Sequence, residues 1–255
     1  MITKERLLAI PNLNLKEKLK GMDDDQMEQY EQMLISFVEN FPEEERKIKA
    51  ALEEQNSSLL ADNLSSICET LEKIHADSIA AECRKQIAMM KITQFEKIEA
   101  YIAYFLKTTA TLSIDIQMAK YLEKGKEDKP PVKKNDSDKT ILAVDDAAIS
   151  LTLLKKNLQG SPYKLFCVNS GEEALRFLRS HQPPDLFILD IEMPKMNGYE
   201  FAEKIRETGQ KAPIIFLTGN ATKKNVMKAI ASGASDFIVK PIDKEYLAYK
   251  VNKHL

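Results

Sequence analysis

The chain has 255 residues, 44% of them hydrophobic, enough to form one large or two ordinary domains. Lysine and arginine total 37 against 39 acids, a net charge of −2, so the bulk charge gives no signal for a nucleic-acid partner. Cys68, Cys83 and Cys167 are scattered without C-x-x-C spacing, which argues against a disulfide framework or a cysteine metal site and fits a reducing cytoplasm. The start lacks the long apolar core of a signal peptide, and no run approaches the roughly 18 residues of a membrane span, so no membrane insertion is expected.

Before residue 125 the only breakers are Gly21, Pro11 and Pro42, a scarcity that suits an all-helical domain over residues 1–124. Met27, Tyr30, Leu34, Phe37, Val38 and Phe41 recur at helical spacing behind the Asp23-Asp24-Asp25 cluster, which favours a helix N-terminus. Pro42, followed by Glu43, Glu44 and Glu45, is expected to start a second helix carrying Ile48, Ala51 and Leu52. A third begins near Ser57 or Ser58, with Leu60, Leu64, Ile67, Leu71 and Ile74 as its buried stripe. A fourth carries Ile79, Cys83, Ile87 and Met90, and Ile98, Ile102, Phe105, Leu112 and Ile116 continue a longer one. An antiparallel bundle is the economical arrangement.

Residues 125–139, GKEDKPPVKKNDSDK, are charged, contain Pro130-Pro131 and offer almost nothing to bury, and they read as a linker. From residue 140 to 255 strand and helix patterns alternate, predicting an α/β domain with a parallel sheet. Five strands begin near Thr140, Tyr163, Asp185, Pro213 and Asp236.

Chemistry gathers at the carboxyl ends of these strands, where open α/β sheets place their ligands. The first ends in Asp145-Asp146, the third in Asp190, the fourth in Thr218 and the fifth in Lys240-Pro241. If the first and third strands are neighbours, three carboxylates share one pocket, where each raises the pKa of the others. A hard divalent cation would neutralise them, and Mg²⁺ fits best because it binds through one or two carboxylates plus waters and phosphate oxygens. Carboxylates, a hydroxyl and an ammonium at successive strand ends describe a phosphoryl-transfer site.

This ordered set resembles the receiver domain of bacterial two-component response regulators, from about Lys139 to Leu255. It includes Met193-Pro194 and Asn197-Gly198 after Asp190, and Gly219 after Thr218. The resemblance implies a flavodoxin-like (βα)₅ fold with strand order 2-1-3-4-5. It further implies Asp190 as phosphoacceptor, Mg²⁺ held by Asp146, Asp190 and the Glu192 carbonyl with Asp145 acting through water, and Lys240 and Thr218 contacting the phosphoryl group. Phe237 stands where the family places a switching aromatic, expected to follow Thr218 inward and to alter the surface near Lys223, Lys224 and Lys228.

The front half resembles a histidine phosphotransfer (HPt) domain over roughly residues 8–90, in Ile10-Pro11-Asn12-Leu13, Met33 to Phe37 and Phe41-Pro42-Glu43-Glu44. The family motif is H-x-L-K-G followed by a Gly-Ala step. Here Ser65 stands for the histidine, Cys68 for the lysine and Glu69 for the glycine, all expected on the exposed face with Asp62, while His75-Ala76 replaces Gly-Ala. His75 is expected about 60° from the buried stripe; His181 and His254 read as surface residues.

The combined expectation is a signalling protein catalysing only its own phosphorylation and dephosphorylation. It would accept phosphoryl groups from a histidine kinase or phosphotransfer protein and act on a downstream protein target without DNA contact. The helical domain would dock a partner without transferring phosphate; the alternatives are a true relay through His75 or a plain dimerisation module.

Overall fold

The computed structural model describes residues 2–90, 95–121, 138–219 and 222–255, apart from the side chains of residues 96, 97 and 223. The chain divides into two compact units, Met1–Lys120 and Tyr121–Leu255. Residues 125–137 of the segment read as a linker lie outside the described residues.

In the first unit a short helix α1 (Lys4–Leu8) is followed by α2 (Asp24–Glu53), α3 (Ser57–Lys73), α4 (Asp77–Met89) and α5 (Phe95–Tyr121). Asp23 opens α2 reciprocally: its carboxylate accepts the Gln26 N–H at 2.8 Å, and its own N–H donates to the Gln26 side chain at 3.1 Å. Helix α3 packs against both α2 and α4, and its expected stripe, Leu60, Leu64, Ile67 and Leu71, is buried together with Ile74.

Pro42 does not start a helix; α2 runs through it for 30 residues. Proline removes one donor from the ladder at a cost of roughly 3 kcal/mol. Phe37, Val38 and Phe41 before it and Ile48 and Ala51 after it are all buried, and burying large side chains on one continuous face, at about 1.5–3 kcal/mol each, outweighs that loss.

Cys68 is not exposed as expected but 5% accessible. It lies four residues after Leu64, hence on the same helix face, and its Sγ donates weakly to the Ala80 carbonyl of α4 at 3.6 Å. Ser65, Glu69 and Asp62 are exposed as expected.

His75 lies outside α3, so its expected wheel position does not apply. Helices α2 and α3 end alike, with Gln55 (φ 51°) and His75 (φ 58°) in left-handed backbone. The next residues, Asn56 and Ala76, donate back to the Ala51 and Leu71 carbonyls at 3.0 and 2.8 Å. Glycine usually fills this slot. His75 is half-buried, its ring stacks on Tyr30 with centroids 6.0 Å apart, and its carbonyl accepts the Asn14 N–H at 2.8 Å.

The second unit alternates β1 (Thr140–Val144), α6 (Ala148–Asn157), β2 (Lys164–Val168), α7 (Gly171–Ser180), β3 (Leu186–Asp190), α8 (Gly198–Glu207), β4 (Ile214–Thr218), α9 (Lys223–Ala231), β5 (Asp236–Val239) and α10 (Lys244–His254). The strands pair in parallel in the order β2-β1-β3-β4-β5. β3 and β4 are buried throughout, as their unbroken apolar runs demand. The edge strand β2 alternates instead, with Lys164 and Phe166 exposed.

His254 also departs from expectation: its side chain is 15% exposed and its Nε2 lies 3.0 Å from Asp236. Lys250, Lys253 and His254 fall on one face of α10 over the start of β5, and all three meet the Asp236 carboxylate. Burial alone would raise that carboxyl's pKa, but the Lys250 charge, the His254 hydrogen bond and the Lys253 charge hold it well below the usual range.

The exposed Gln55 gives a clean test of the helix ends. Left-handed backbone costs a residue with a Cβ roughly 1–2 kcal/mol, so Gln55→Gly should stabilise the helical unit by about 1 kcal/mol in urea unfolding. No gain, or a loss, would contradict the assigned cap.

Candidate functional site

Strand register assembles the site. Val144 pairs with Leu189, so Asp145, just past β1, comes beside Asp190, the last residue of β3. On the other side Thr218 ends β4 opposite Val239, and the Lys240 N–H donates to the Thr218 carbonyl at 2.7 Å. Lys240 Nζ then reaches back across the strand ends to lie 2.8 Å from Asp145 Oδ2 and 2.8 Å from Asp190 Oδ1. The other Asp145 oxygen accepts the Ala147 N–H at 2.9 Å, which fixes the buried carboxylate. Asp146 is exposed, and one oxygen from each of Asp145, Asp146 and Asp190 lies within 4.8 Å of the others.

The loop after β3 is built for a close approach. A Cβ on Gly198 would stand 2.2 Å from the Asp190 carbonyl oxygen, so only glycine fits there. The Gly198 N–H donates to the Ile191 carbonyl at 3.0 Å, and Asn197 caps α8 reciprocally with Glu200. Lys195 carries the turn at φ 65°, a left-handed conformation in a residue that does not favour it. Glu192, the second residue of this loop, is exposed.

Burial pushes the Asp190 carboxyl up to about 6; the Lys240 hydrogen bond opposes this, while the negative charge of Asp145 adds to it. Lys240 is held above its ordinary value: burial works to lower it, but hydrogen bonds to Asp145 and Asp190 prevail. The pocket therefore carries more negative charge than one ammonium offsets.

Its oxygen donors fit a hard cation such as Mg²⁺. Both Asp145 oxygens already accept hydrogen bonds, so exposed Asp146 and the second oxygen of Asp190 are the better placed to bind an ion directly.

Thr218 and Phe237 are both fully buried. The Phe237 ring packs with its centroid 6.3 Å from that of Phe216, in the inward position that the switch expectation assigns to the buried state. Lacking a hydroxyl to hydrate, it gains by burial without any phosphoryl group. Lys224 and Lys228 are exposed on α9, with Lys228 Nζ 4.7 Å from the Tyr199 ring centroid. The Ala147 amide was not anticipated, because a backbone donor leaves no mark in the sequence.

Residues 141–252 match the family model of the response regulator receiver domain. The two-component response regulator ORR11 of Oryza sativa subsp. indica is 32% identical over 104 residues, covering 40% of this chain and 71% of that protein. The sensor histidine kinase CheAY of Helicobacter pylori is 34% identical over 126 residues, and the match spans 48% of this chain but only 16% of the kinase. Among solved structures, the chemotaxis protein CheY4 of Vibrio cholerae is 30% identical, covering 46% of this chain and 98% of that one, with a TM-score of 0.44. The chain belongs to the family of response regulator receiver proteins.

The raised Asp190 pKa has a consequence for stability. The stabilising contribution of the protonated carboxyl is complete below the unfolded-state value of 3.8 and is lost as pH rises through about 6. In buffer free of divalent cations, Asp190→Asn should therefore be more stable than the parent chain at pH 8, by roughly 3 kcal/mol at most, and equally stable near pH 4. Thermal or urea unfolding at the two pH values reads this, and a variant less stable at pH 8 would contradict the account of the site.

Proposed function

We propose that the protein is a two-component signalling regulator that accepts a phosphoryl group on Asp190 and switches protein–protein interactions. The observation that carries this reading is the single Lys240 ammonium 2.8 Å from both Asp145 and Asp190, with the Asp146 carboxylate at hand. An Asp190 carboxylate oxygen would attack phosphorus as the donor's bond to phosphorus breaks, leaving the other oxygen for the ion. Lys240 is placed to pair with the transferred group, which adds about −1.5 to −2 charges at neutral pH, and the Thr218 hydroxyl can donate to it. Asp146, Asp190 and the Glu192 carbonyl would hold Mg²⁺, with Asp145 acting through water. When bound, the ion offsets charge on the phosphoryl oxygens. The donor of the phosphoryl group would be a histidine kinase or a phosphotransfer protein.

We read the helical unit as a docking module related to histidine phosphotransfer domains that passes no phosphoryl group. Three observations support this. Ser65 is exposed where the transferring imidazole would stand, its hydroxyl donating to the Ala61 carbonyl at 2.8 Å. Cys68 is buried where the family's lysine would reach solvent. His75 is spent on a helix end, in the glycine slot of its cap. The bundle itself keeps its buried stripe, so what differs from the family motif is its chemistry.

Acetyl phosphate with Mg²⁺ should label the parent chain, and Asp190→Asn should take no label; Mg²⁺-dependent labelling of that variant would overturn the acceptor assignment. The same Asp190→Asn chain, mixed with a phosphorylated receiver or kinase, isolates the helical unit's chemistry. It should remain unlabelled. Acid-labile phosphate on it, lost again when His75→Ala is added, would show a working relay instead.

A further inference from the structure

Helices α4 and α5, with the N-terminal segment, enclose a cleft of about 240 Å³ that the receiver chemistry does not use. Its floor is apolar, made by Phe105 and Ile79. Its walls are polar: the Asn12 amide, the Ser78 and Thr108 hydroxyls and the Glu82 carboxylate. Tyr104 stands at the rim, 59% exposed, and Tyr101, on the same helix and 47% exposed, lies three residues before it. Half-exposed tyrosines of this kind are enriched where proteins meet, because the ring offers large rigid area at low entropic cost.

The lining selects for one chemistry. Glu82 is the sole charged residue among the lining groups. Thr108 gives its hydroxyl proton to the Tyr104 carbonyl at 3.0 Å, so it meets a ligand as an acceptor. Among the described residues Glu82 meets Gln86 Nε2 at 3.4 Å and Lys85 Nζ at 4.0 Å, both long contacts within its own helix, and a carboxylate has roughly four acceptor sites. The Glu82 and Thr108 acceptors, with Asn12 and Ser78 able to accept beside them, an aromatic face at the rim and an apolar floor suit a planar, donor-only cation on an aliphatic stem. A guanidinium supplies five N–H donors and no acceptor, stacks on aromatic rings, and carries three methylenes to cover the floor. Residues 1–124 hold 16 basic against 22 acidic residues, which draws a basic segment towards this half of the chain.

We propose that this cleft receives an arginine side chain from a basic segment of a partner protein. The proposal deepens the docking-module reading and rests on it. Amide NMR spectra of the full chain, titrated with N-acetyl-arginine amide, should show saturable shifts confined to Ser78, Glu82, Tyr104, Thr108 and their neighbours. The neutral isostere, N-acetyl-citrulline amide, should bind about tenfold more weakly, because a charged hydrogen bond contributes roughly 1.4 kcal/mol more than a neutral one. Glu82→Gln should lose the same factor, and Tyr104→Phe should retain affinity that Tyr104→Ala loses. Equal shifts with citrulline, shifts spread over the acidic surface, or an unaffected Glu82→Gln variant would each overturn the cleft. A protein partner that binds the parent and Glu82→Gln chains equally would remove the arginine pocket while leaving the docking module standing.

Discussion

The receiver half depends on one half-buried ammonium shared between two carboxylates. Lys240 spans from the end of β5 to Asp145 after β1 and Asp190 at the end of β3, and this contact ties β5 to the paired ends of β1 and β3, from which β4 separates it in the sheet. Removing the lysine would leave the two carboxylates facing each other without their shared cation, whereas removing the Asp190 charge leaves Lys240 paired with Asp145. Here the balance is deliberately incomplete. A third carboxylate, Asp146, faces solvent beside the pair, and burial, helped by the charges of Asp145 and then Asp146, makes Asp190 resist ionisation.

The surrounding fold serves that arrangement. Parallel pairing sets the height of each acid, because Asp145 and Asp190 end neighbouring strands at one level. The loop beyond Asp190 then turns back so closely that position 198 must be glycine. At the opposite end of β5, Asp236 gathers Lys250, Lys253 and His254, which anchors α10 to the sheet. Two charge clusters therefore occupy the two ends of one strand: one saturated by cations and structural, the other short of cations and available to ligands.

Much of this was legible from sequence because it rests on local pattern. Apolar runs marked each strand start to within a residue, and the resemblance to receivers supplied the order 2-1-3-4-5 that the sheet adopts. What escaped were features decided by tertiary contact. Pro42 looks like a helix start until the apolar faces on both its sides are seen to bury together. His75 looks like a helical residue, yet the need for left-handed backbone after α3 takes it out of the helix. His254 appeared terminal and therefore exposed; its face is set by Asp236, 18 residues earlier.

Acyl phosphates are reduced by borohydride, which converts a phosphorylated aspartate to homoserine and records the position of the mixed anhydride in a peptide mass spectrum. Applied to the full chain after treatment with acetyl phosphate and Mg²⁺, the account predicts homoserine at position 190 and nowhere else, with none when Mg²⁺ is withheld. Homoserine at position 145 or 146, or trapping at 190 that is indifferent to Mg²⁺, would contradict it.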